Sequence, residues 1–348
     1  MEGLTSIRTR SWRLAAIALS VLLVAAFAFA CGDDDDDDAG STTTPTETSE
    51  ATTTAEASGT ADAGDAAYPL KVTDLLGREV EIAEKPTTVV AISPTAVELV
   101  YAVGETVVGR SSSADFPPEA QEATDVGTAY QPSFDTILSL SPDLIIADSV
   151  IQGGADYRQP LEQLGVPVIF AGAESYQDVI DGLTLVGKVF DAQENAEEVI
   201  AGIEKARDDA KAAIEGKNLS VVAMIAGRDQ TLYAAKDASY VGDLLKITGI
   251  ENPASSQPDA GPFPGYSTLA PEKLVEYDPQ IIFTISPGSA SGAPLLSTLI
   301  PNIPPFRGLQ AVTSGAIVEL DVELFLESPG PRIVEAFAAL AAAADKAQ

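Results

Sequence analysis

The chain has 348 residues, a formal net charge of −32 and no histidine. Without histidine it cannot form an imidazole-based zinc or haem site, or a Ser-His-Asp or Cys-His catalytic site. A single cysteine excludes an intrachain disulfide and a cysteine-rich metal cluster. The acidic balance argues against a nucleic-acid partner, because phosphate binding requires clustered Lys and Arg. The length favours about two domains.

The N-terminus has the pattern of an export signal. Three arginines, at positions 8, 10 and 13, precede an uncharged, mostly apolar run over residues 14–30. A basic segment followed by an apolar one is typical of a secretory signal, and the run is also close to the length that spans a bilayer. An uncleaved anchor helix is therefore the alternative. Both interpretations export the rest of the chain.

The run ends in Ala28-Phe29-Ala30-Cys31-Gly32, which resembles the lipobox of bacterial lipoproteins, where the cysteine becomes the lipidated N-terminus. Phe29 departs from that pattern, since a small residue is usual at its position. Lipidation also accounts for the only cysteine of an exported chain. We predict a signal peptide over 1–31 and a lipid anchor on Cys31 that holds the protein at the outer face of the cytoplasmic membrane.

Residues 32–67 are rich in Thr, Ser, Ala, Gly and acidic side chains and lack large apolar ones. Such a segment cannot bury enough apolar surface to fold. Six consecutive aspartates, residues 33–38, could form a calcium tract, but like charges also extend a chain by repulsion. We predict a disordered tether that holds the folded part away from the membrane.

From residue 68 onwards the pattern is α/β. Short apolar runs bounded by turn residues predict buried strands, and a helical pattern over Thr95–Val103 ends at Gly104 as its C-cap. Strands that alternate with helices favour sheets covered by helices. The predicted strands are Val89–Ile92, Leu144–Ala147, Val168–Phe170, Leu219–Ile225, Ile281–Ile285 and Ala316–Leu320.

One helical stretch is longer than the others. Residues 193–215 contain no proline and one glycine, and their apolar residues recur close to every 3.6 positions. A helix of this length extends roughly 35 Å at about 1.5 Å per residue. Because it lies midway along the exported chain, we interpret it as a rigid connection between two lobes. An ordinary surface helix within one domain is the alternative.

A faint internal repeat relates the two halves. Residues 134–149 read FDTILSLSPDLIIADS, and residues 271–286 read PEKLVEYDPQIIFTIS. Both predict a helix, a turn with proline and a strand. In each, an acid stands in the first helical turn, seven residues before that proline: Asp135 and Glu272. Ser133 is a plausible N-cap for the first helix, and Pro271 suits the first position of the second.

The two acids have two possible roles. A carboxylate near a helix N-terminus is stabilised by the helix dipole, typically by about 0.3–1 kcal/mol, which requires no partner. The matching offset in two halves instead favours a docking site with one acid from each lobe.

The exported part resembles the periplasmic binding proteins that serve ferric-siderophore and cobalamin ABC importers, the class with a helical backbone between its lobes. The resemblance begins near Val72 and continues to the C-terminus. It is carried by VTDLLGREVEI, KPTTVVAISPTAVELVYAVGETVVGRSSSADFPPEA, DVGTAYQPSFDTILSLSPDLIIA, SYVGDLLKITGIEN, LAPEKLVEYDPQIIF and ESPGPRIVEAFAALA in that order.

The resemblance implies an α/β fold with two Rossmann-like lobes, joined by a single long backbone helix, and a ligand cleft between the lobes. On this basis we predict an N-terminal lobe over 68–190, the connecting helix over 191–216 and a C-terminal lobe over 217–348. It also implies that Asp135 and Glu272 meet arginines of the ABC permease. Asp135 replaces the more usual glutamate, which shortens its reach by one methylene group.

Cleft residues are expected in loops at the carboxyl ends of strands. Tyr130 and Tyr266 could instead pack at loop bases, and Arg332 could form a structural salt bridge. The partial set of aromatic and arginine residues suits a neutral or weakly charged ferric hydroxamate, or a corrinoid, better than a highly anionic complex. The candidates are Ser111, Ser112, Ser113, Tyr130, Asp148, Arg228, Tyr266, Phe325 and Arg332.

These features predict a substrate-binding lipoprotein that captures an iron-siderophore or cobalamin-type chelate and delivers it to a permease. We expect a monomer with no catalytic residues, no metal held by the chain itself and no cofactor besides this cargo. No G-x-S-x-G, P-loop or histidine motif supports the alternative of an extracellular hydrolase. A ligand-sensing or adhesion lipoprotein with the same fold is the other alternative.

Overall fold

Two five-stranded sheets organise the chain, one in each half. The computed structural model describes residues 68–346 apart from Arg228 and Asp259, all of which belong to one unit of the chain, 61–348. The predicted signal, lipid anchor and tether lie outside the described residues. No helix among the described residues is both long enough and apolar enough to cross a membrane.

The N-terminal lobe begins with an antiparallel hairpin and continues as a parallel sheet of order β5-β4-β3-β8-β9. Its strands are β1 (Leu70–Thr73), β2 (Glu79–Ile82), β3 (Val89–Ala91), β4 (Gly109–Arg110), β5 (Thr124–Asp125), β6 (Gly127–Thr128), β7 (Gln131–Pro132), β8 (Leu144–Ala147) and β9 (Val168–Phe170). Its helices are α1 (Pro94–Ala102), α2 (Phe134–Ser139), α3 (Ala155–Glu162) and α4 (Tyr176–Val189).

Helix α5 (Gln193–Ile214) leads into the C-terminal lobe, whose sheet has the order β12-β11-β10-β13-β14 and mixed strand directions. The strands are β10 (Val221–Ala226), β11 (Leu232–Ala235), β12 (Tyr266–Thr268), β13 (Ile281–Ile285) and β14 (Ile317–Glu319). The helices are α6 (Tyr240–Thr248), α7 (Pro271–Tyr277), α8 (Leu296–Leu299), α9 (Gln310–Thr313), a π-helix (Glu323–Glu327) and α10 (Ile333–Ala344).

All six strands predicted from apolar runs are present, with ends that differ by up to two residues. Helix α1 begins and ends one residue earlier than predicted, so its C-cap is Val103 and not Gly104, and the long helix α5 ends one residue before its predicted end. The sequence did not predict β11 and β12, which pair antiparallel beside β10. These strands are short, with four and three residues.

Alternate residues of the central strands enter different cores, because side chains of a strand point to opposite faces. In β8, Leu144 and Ile146 belong to a large core that also contains Val221 and Ala223 of β10. Ile145 packs in a separate core on the outer face of the N-terminal sheet. The outer face of the C-terminal sheet forms a third core. The large core is therefore shared by both lobes.

Helix α5 is part of that shared core rather than a free rod. It packs against α4, α6 and α10, and its buried residues enter the same core as both sheets. The buried residues are Ala196, Ile203, Ala210 and Ile214, on one stripe of an otherwise exposed or half-buried helix. The connection between the lobes is thus braced on several sides, which favours small relative movements of the two lobes.

Candidate functional site

The carboxyl ends of the central strands in the N-terminal sheet carry several of the predicted ligand residues. Ser111–Ser113 follow β4, Tyr130 lies in the turn between β6 and β7, and Asp148 follows β8. Ser111 is buried, whereas Ser113 is exposed, and their Oγ atoms lie 3.4 Å apart. Tyr130 is 63% exposed. The exposed members, Ser113 and Tyr130, can contact a ligand in this conformation.

Asp148 is buried and holds the loop that follows β8 in place. Its buried Oδ1 accepts backbone N–H groups from Val150 at 2.7 Å and Ile151 at 3.0 Å. Burial raises the pKa of Asp148, while these two hydrogen bonds act against the increase. Because its carboxyl group is enclosed and already bonded, Asp148 fixes a loop and offers no open surface to a ligand.

Gln152 joins this loop to its neighbours, and the sequence did not single it out. The fully buried side chain donates hydrogen bonds to the carbonyl oxygens of Ala129, at 2.6 Å, and Ile92, at 3.2 Å. Its Oε1 accepts the backbone N–H of Asp148. Three loops are therefore tied together behind Tyr130, which follows Ala129 directly.

Other exposed apolar side chains occur in the N-terminal lobe beyond the carboxyl ends of its strands. We call Phe116, Tyr130, Val150 and Tyr157 the apolar wall: each is at least 38% exposed, Phe116 and Val150 follow β4 and β8, Tyr130 lies in the β6–β7 turn, and Tyr157 lies in α3. The sequence identified only Tyr130. The other three resemble core residues in a sequence, because exposure is set by how the loops fold.

The C-terminal lobe contributes a cavity of about 560 Å³ at the carboxyl ends of β13 and β14. Four of its lining residues are carboxylates, which we call the acidic wall: Glu319, Asp321, Glu323 and Glu327. Burial, followed by the charges of Glu323 and Asp321, raises the pKa of Glu327. None of these four acids was predicted from the sequence. A second cavity, of about 570 Å³, lies near the amino edge of this sheet, beside Lys246 and Glu251.

The two lobes come close together at the apolar wall. Burial raises the pKa of Tyr130, and the next contributions come from the charges of Asp148 and of Glu327 in the opposite lobe. The Arg332 guanidinium also lies 4.4 Å from the ring centroid of Phe116. A ligand between the lobes would meet aromatic rings on one side and carboxylates on the other.

Arg332 is engaged within its own lobe as well. Its Nε donates to Glu335 at 2.9 Å, and its Nη1 lies 3.4 Å from Glu323. It therefore forms the structural salt bridges that were the alternative to ligand binding, and it stacks across to Phe116 at the same time.

Two other predicted ligand residues are buried. Tyr266 pairs with Ala235 through β12 and β11, and Phe325, 1% exposed, lies in the π-helix. Both belong to the shared core, and burial raises the pKa of Tyr266. Tyr266 thus has the packing role that was its alternative. Arg228 lies outside the described residues.

A buried polar contact joins the lobes beneath the walls. Glu98 of α1 is 4% exposed, and its Oε1 accepts a hydrogen bond from Ser328 Oγ at 2.8 Å. Its Oε2 is enclosed and has no hydrogen-bond partner among the described residues. Burial raises the pKa of Glu98 to about 7, against the lowering effects of Ser328 and Arg332. Neighbouring Glu323 and Glu335 act in the raising direction.

The predicted docking acids lie on separate lobes and both are exposed. Asp135 is in the first turn of α2 and Glu272 in the first turn of α7, the helices that precede β8 and β13. Neither makes an ion pair or side-chain hydrogen bond with a described residue. Because a helix that precedes a parallel strand begins near the carboxyl edge of the sheet, both acids lie at the same rim as the walls.

The internal repeat extends to the backbone. We call residues 134–149 the first module and residues 271–286 the second. Each consists of a short helix, a non-glycine residue with positive φ (Ser141 at 50° and Asp278 at 39°), a buried proline and a buried strand. Ser133 caps α2 by accepting the N–H of Thr136, as predicted.

This architecture defines a two-lobed binding protein, and the chain belongs to the periplasmic binding protein family, whose pattern matches residues 89–324. The resemblance inferred from the sequence is therefore confirmed. The petrobactin-binding protein YclQ of Bacillus subtilis has the same fold, with a TM-score of 0.69 and 19% identity over 80% of this chain and 98% of that one.

Relatives support the same assignment. The ABC transporter substrate-binding lipoprotein YvrC of Bacillus subtilis is 23% identical over 282 residues, which cover 79% of this chain and 85% of YvrC. The vitamin B12-binding protein of Pectobacterium carotovorum is 28% identical over 203 residues, which cover 57% of this chain and 70% of that protein.

Proposed function

We propose that this protein is an extracytoplasmic substrate-binding lipoprotein that captures a metal chelate and delivers it to the permease of an ABC importer. The observation that carries the proposal is the pair of exposed acids, Asp135 and Glu272, at matching positions beside the cleft. A docking site divided between the lobes lets a permease hold both lobes while it receives the cargo. Similarity to YvrC supports this role.

The walls suggest the chemistry of the cargo. Aromatic rings such as Tyr130 suit the apolar body of a bulky chelate. Carboxylates such as Asp321 and Glu327 repel an anionic complex and attract a cationic one. We therefore infer a neutral or cationic cargo, either a ferric hydroxamate or a corrinoid. Similarity to a vitamin B12-binding protein supports the corrinoid. The cargo binds and leaves without chemical change.

The rest of the chain fits a membrane-anchored receptor. We propose that cleavage before Cys31 exposes that residue for lipidation, and that residues 32–67 hold the monomeric protein at a distance from the membrane. The division into lobes at 68–190 and 217–348, with the connection at 191–216, is part of the same proposal. A Cys31→Ser variant is expected to leave the membrane fraction, as measured by fractionation and immunoblotting. Continued anchoring would instead indicate an uncleaved apolar helix.

The cargo can be tested with ligands that differ only in charge. Ferrioxamine B is cationic through its free amine, and acetylation or succinylation of that amine makes it neutral or anionic. Aquocobalamin and cyanocobalamin provide a cationic and a neutral corrinoid. We expect the full-length chain to bind one of the two series, with the anionic ferrioxamine weakest, as measured by isothermal titration calorimetry. Binding in neither series would contradict the proposed function.

The visible spectrum of protein purified from its native cells provides an independent test. Bound corrinoid and bound ferric hydroxamate absorb in different parts of the visible range. Tryptophan fluorescence is unsuitable, because the only tryptophan, Trp12, lies in the predicted signal peptide.

A further inference from the structure

The two docking helices share a second feature, an exposed aliphatic side chain. Leu138 lies three residues after Asp135, and Val275 lies three residues after Glu272. Each of the two aliphatic residues is 43% exposed. Residues three apart on a helix lie on the same face. Each lobe therefore presents a carboxylate and an aliphatic group side by side.

Packing within the fold explains why the residues next to Leu138 and Val275 are apolar, but it does not explain why Leu138 and Val275 are apolar. Ile137 and Leu274, at equivalent positions in the two modules, are fully buried and fix each helix to its sheet. Leu138 and Val275 belong to none of the hydrophobic cores formed by the described residues. A single exposed aliphatic residue is common. Equal exposure at equivalent positions beside an unpaired acid indicates a shared contact outside the chain.

We propose that Asp135 with Leu138, and Glu272 with Val275, form two equivalent docking patches whose aliphatic side chains enter apolar recesses of the permease beside its cationic groups. This inference rests on the proposed function. Charges at the rim of an interface mainly set the encounter rate and register, and an exposed ion pair contributes little affinity. Buried apolar side chains slow dissociation. The aliphatic residues would therefore supply much of the residence time.

The negative charge of each patch and the presence of one patch on each lobe favour the permease over other partners. Neither acid has a cationic partner among the described residues, so the partner must supply the positive charge. The same patch occurs once on each lobe, so the partner must present a matching surface twice, as two related permease subunits do. A second copy of this chain would bring acid against acid and is disfavoured.

The test uses full-length protein in its native cells, with Leu138→Ser, Val275→Ser and the double variant. Val108→Ser is the matched control, because Val108 is 37% exposed and lies at the amino end of β4, away from the cleft. Uptake of ⁵⁵Fe-ferrioxamine B or of ⁵⁷Co-cyanocobalamin, whichever the purified chain binds, is measured at limiting amounts of binding protein. We expect about tenfold lower uptake for each single variant and a larger loss for the double variant, with cargo affinity unchanged.

Site-specific crosslinking identifies the partner. Benzoylphenylalanine that replaces Leu138 or Val275 is expected to crosslink to the integral membrane permease, identified by mass spectrometry, whereas the same probe at position 108 is not. Unchanged uptake in the double serine variant would overturn the inference, and so would a loss of cargo affinity. If Asp135→Ala with Glu272→Ala also leaves uptake unchanged, the docking role in the proposed function fails as well.

Discussion

The two modules share a backbone and differ at the end of the strand. In both, a short helix, a left-handed residue and a buried proline lead into a buried strand. After the first strand comes Asp148, which folds a loop around its own carboxylate. At the equivalent position of the second strand stands Ile285, a core residue. The modules therefore diverge at the carboxyl edge, where the cargo walls begin.

This difference separates two tasks. The features that the modules share, an exposed acid and an exposed aliphatic residue, face outward on both lobes, as a partner with two similar surfaces requires. Outside the modules, the segments that line the cleft differ between the lobes: the N-terminal lobe presents the apolar wall and the C-terminal lobe presents the acidic wall. The side chains that line the cargo site therefore differ between the lobes, whereas those of the docking surface are alike on both lobes.

The largest expected effect tests the shared features. Asp135→Ala combined with Glu272→Ala is expected to abolish permease-dependent uptake, because both lobes lose the charge that we propose contacts the permease. Cargo affinity should stay nearly unchanged, since both acids lie outside the walls. Uptake assays and calorimetry measure the two quantities separately. Glu197→Gln combined with Glu198→Gln, two exposed acids on α5, controls for the same change in net charge. A fall in cargo affinity would move the two acids into the ligand site.

The apolar wall is tested with Tyr130→Ala. Removal of this exposed ring is expected to weaken cargo binding about tenfold whatever the charge of the cargo, because the contact is with its apolar body. Tyr101→Phe is a suitable control, since that residue lies on α1 and belongs to neither wall. Equal affinities of the wild type and the Tyr130→Ala variant would remove Tyr130 from the site.

The acidic wall is tested with Glu327→Gln. This variant keeps the size of the side chain and removes one negative charge, so we expect severalfold weaker binding of ferrioxamine B and little change for its acetylated form. Calorimetry with the two ligands gives the comparison. A similar loss for both ligands would mean that Glu327 acts through shape or hydrogen bonding and not through charge.

The contact between the lobes should make stability depend on pH. Glu98 has an ordinary pKa near 4.5 and a folded-state pKa of about 7, so the folded protein holds a proton that unfolding releases in this range. Its contribution to the free energy of unfolding is present at low pH and is lost as the pH rises through about 7. Between about pH 6 and pH 8 the loss is about 1.4 kcal/mol.

Glu98→Gln lacks the titrating group and should lack this loss. Urea unfolding of both proteins across this range measures the difference between them, which cancels the contributions of other carboxyl groups such as Asp148. Ser328→Ala removes the hydrogen bond and keeps the titration, so it separates the two effects. A constant difference between the wild type and Glu98→Gln at every pH would contradict the assignment.

The smallest expected effect on stability concerns the N-terminal ends of α2 and α7, where the two modules also differ. Ser133 caps α2 through its side chain, whereas Ala270 precedes Pro271 with no such bond. Ser133→Ala is expected to lower the free energy of unfolding by about 1 kcal/mol, and Ala270→Ser to raise it by up to a similar amount. Chemical unfolding measures both. A decrease in the free energy of unfolding for Ser133→Ala together with an increase for Ala270→Ser would support the difference between the two helix N-termini. Changes in the same direction would contradict it.

The regular parts of the fold could be predicted from the sequence. The strand Ile281–Ile285 and the long helix follow from local patterns, since a short apolar run and a 3.6-residue period are written into consecutive residues. The strand Leu232–Ala235 was missed because it is only four residues long and half of it is alanine, which is uncommon in strands. The site was predicted less completely. Tyr266 and Phe325 are aromatic, as ligand-contacting residues often are, yet both are buried. Their burial depends on residues that are far away in the sequence.

The sequence by itself determined the alternation of strands and helices, the repeated module and the positions of Asp135 and Glu272, because each depends on residues close together in the chain. Only the tertiary structure decided which aromatic rings are exposed, which acids gather at one edge of the C-terminal sheet and that Glu98 meets Ser328. These contacts join loops that are far apart in sequence, and the packing of both lobes on one shared core brings them together.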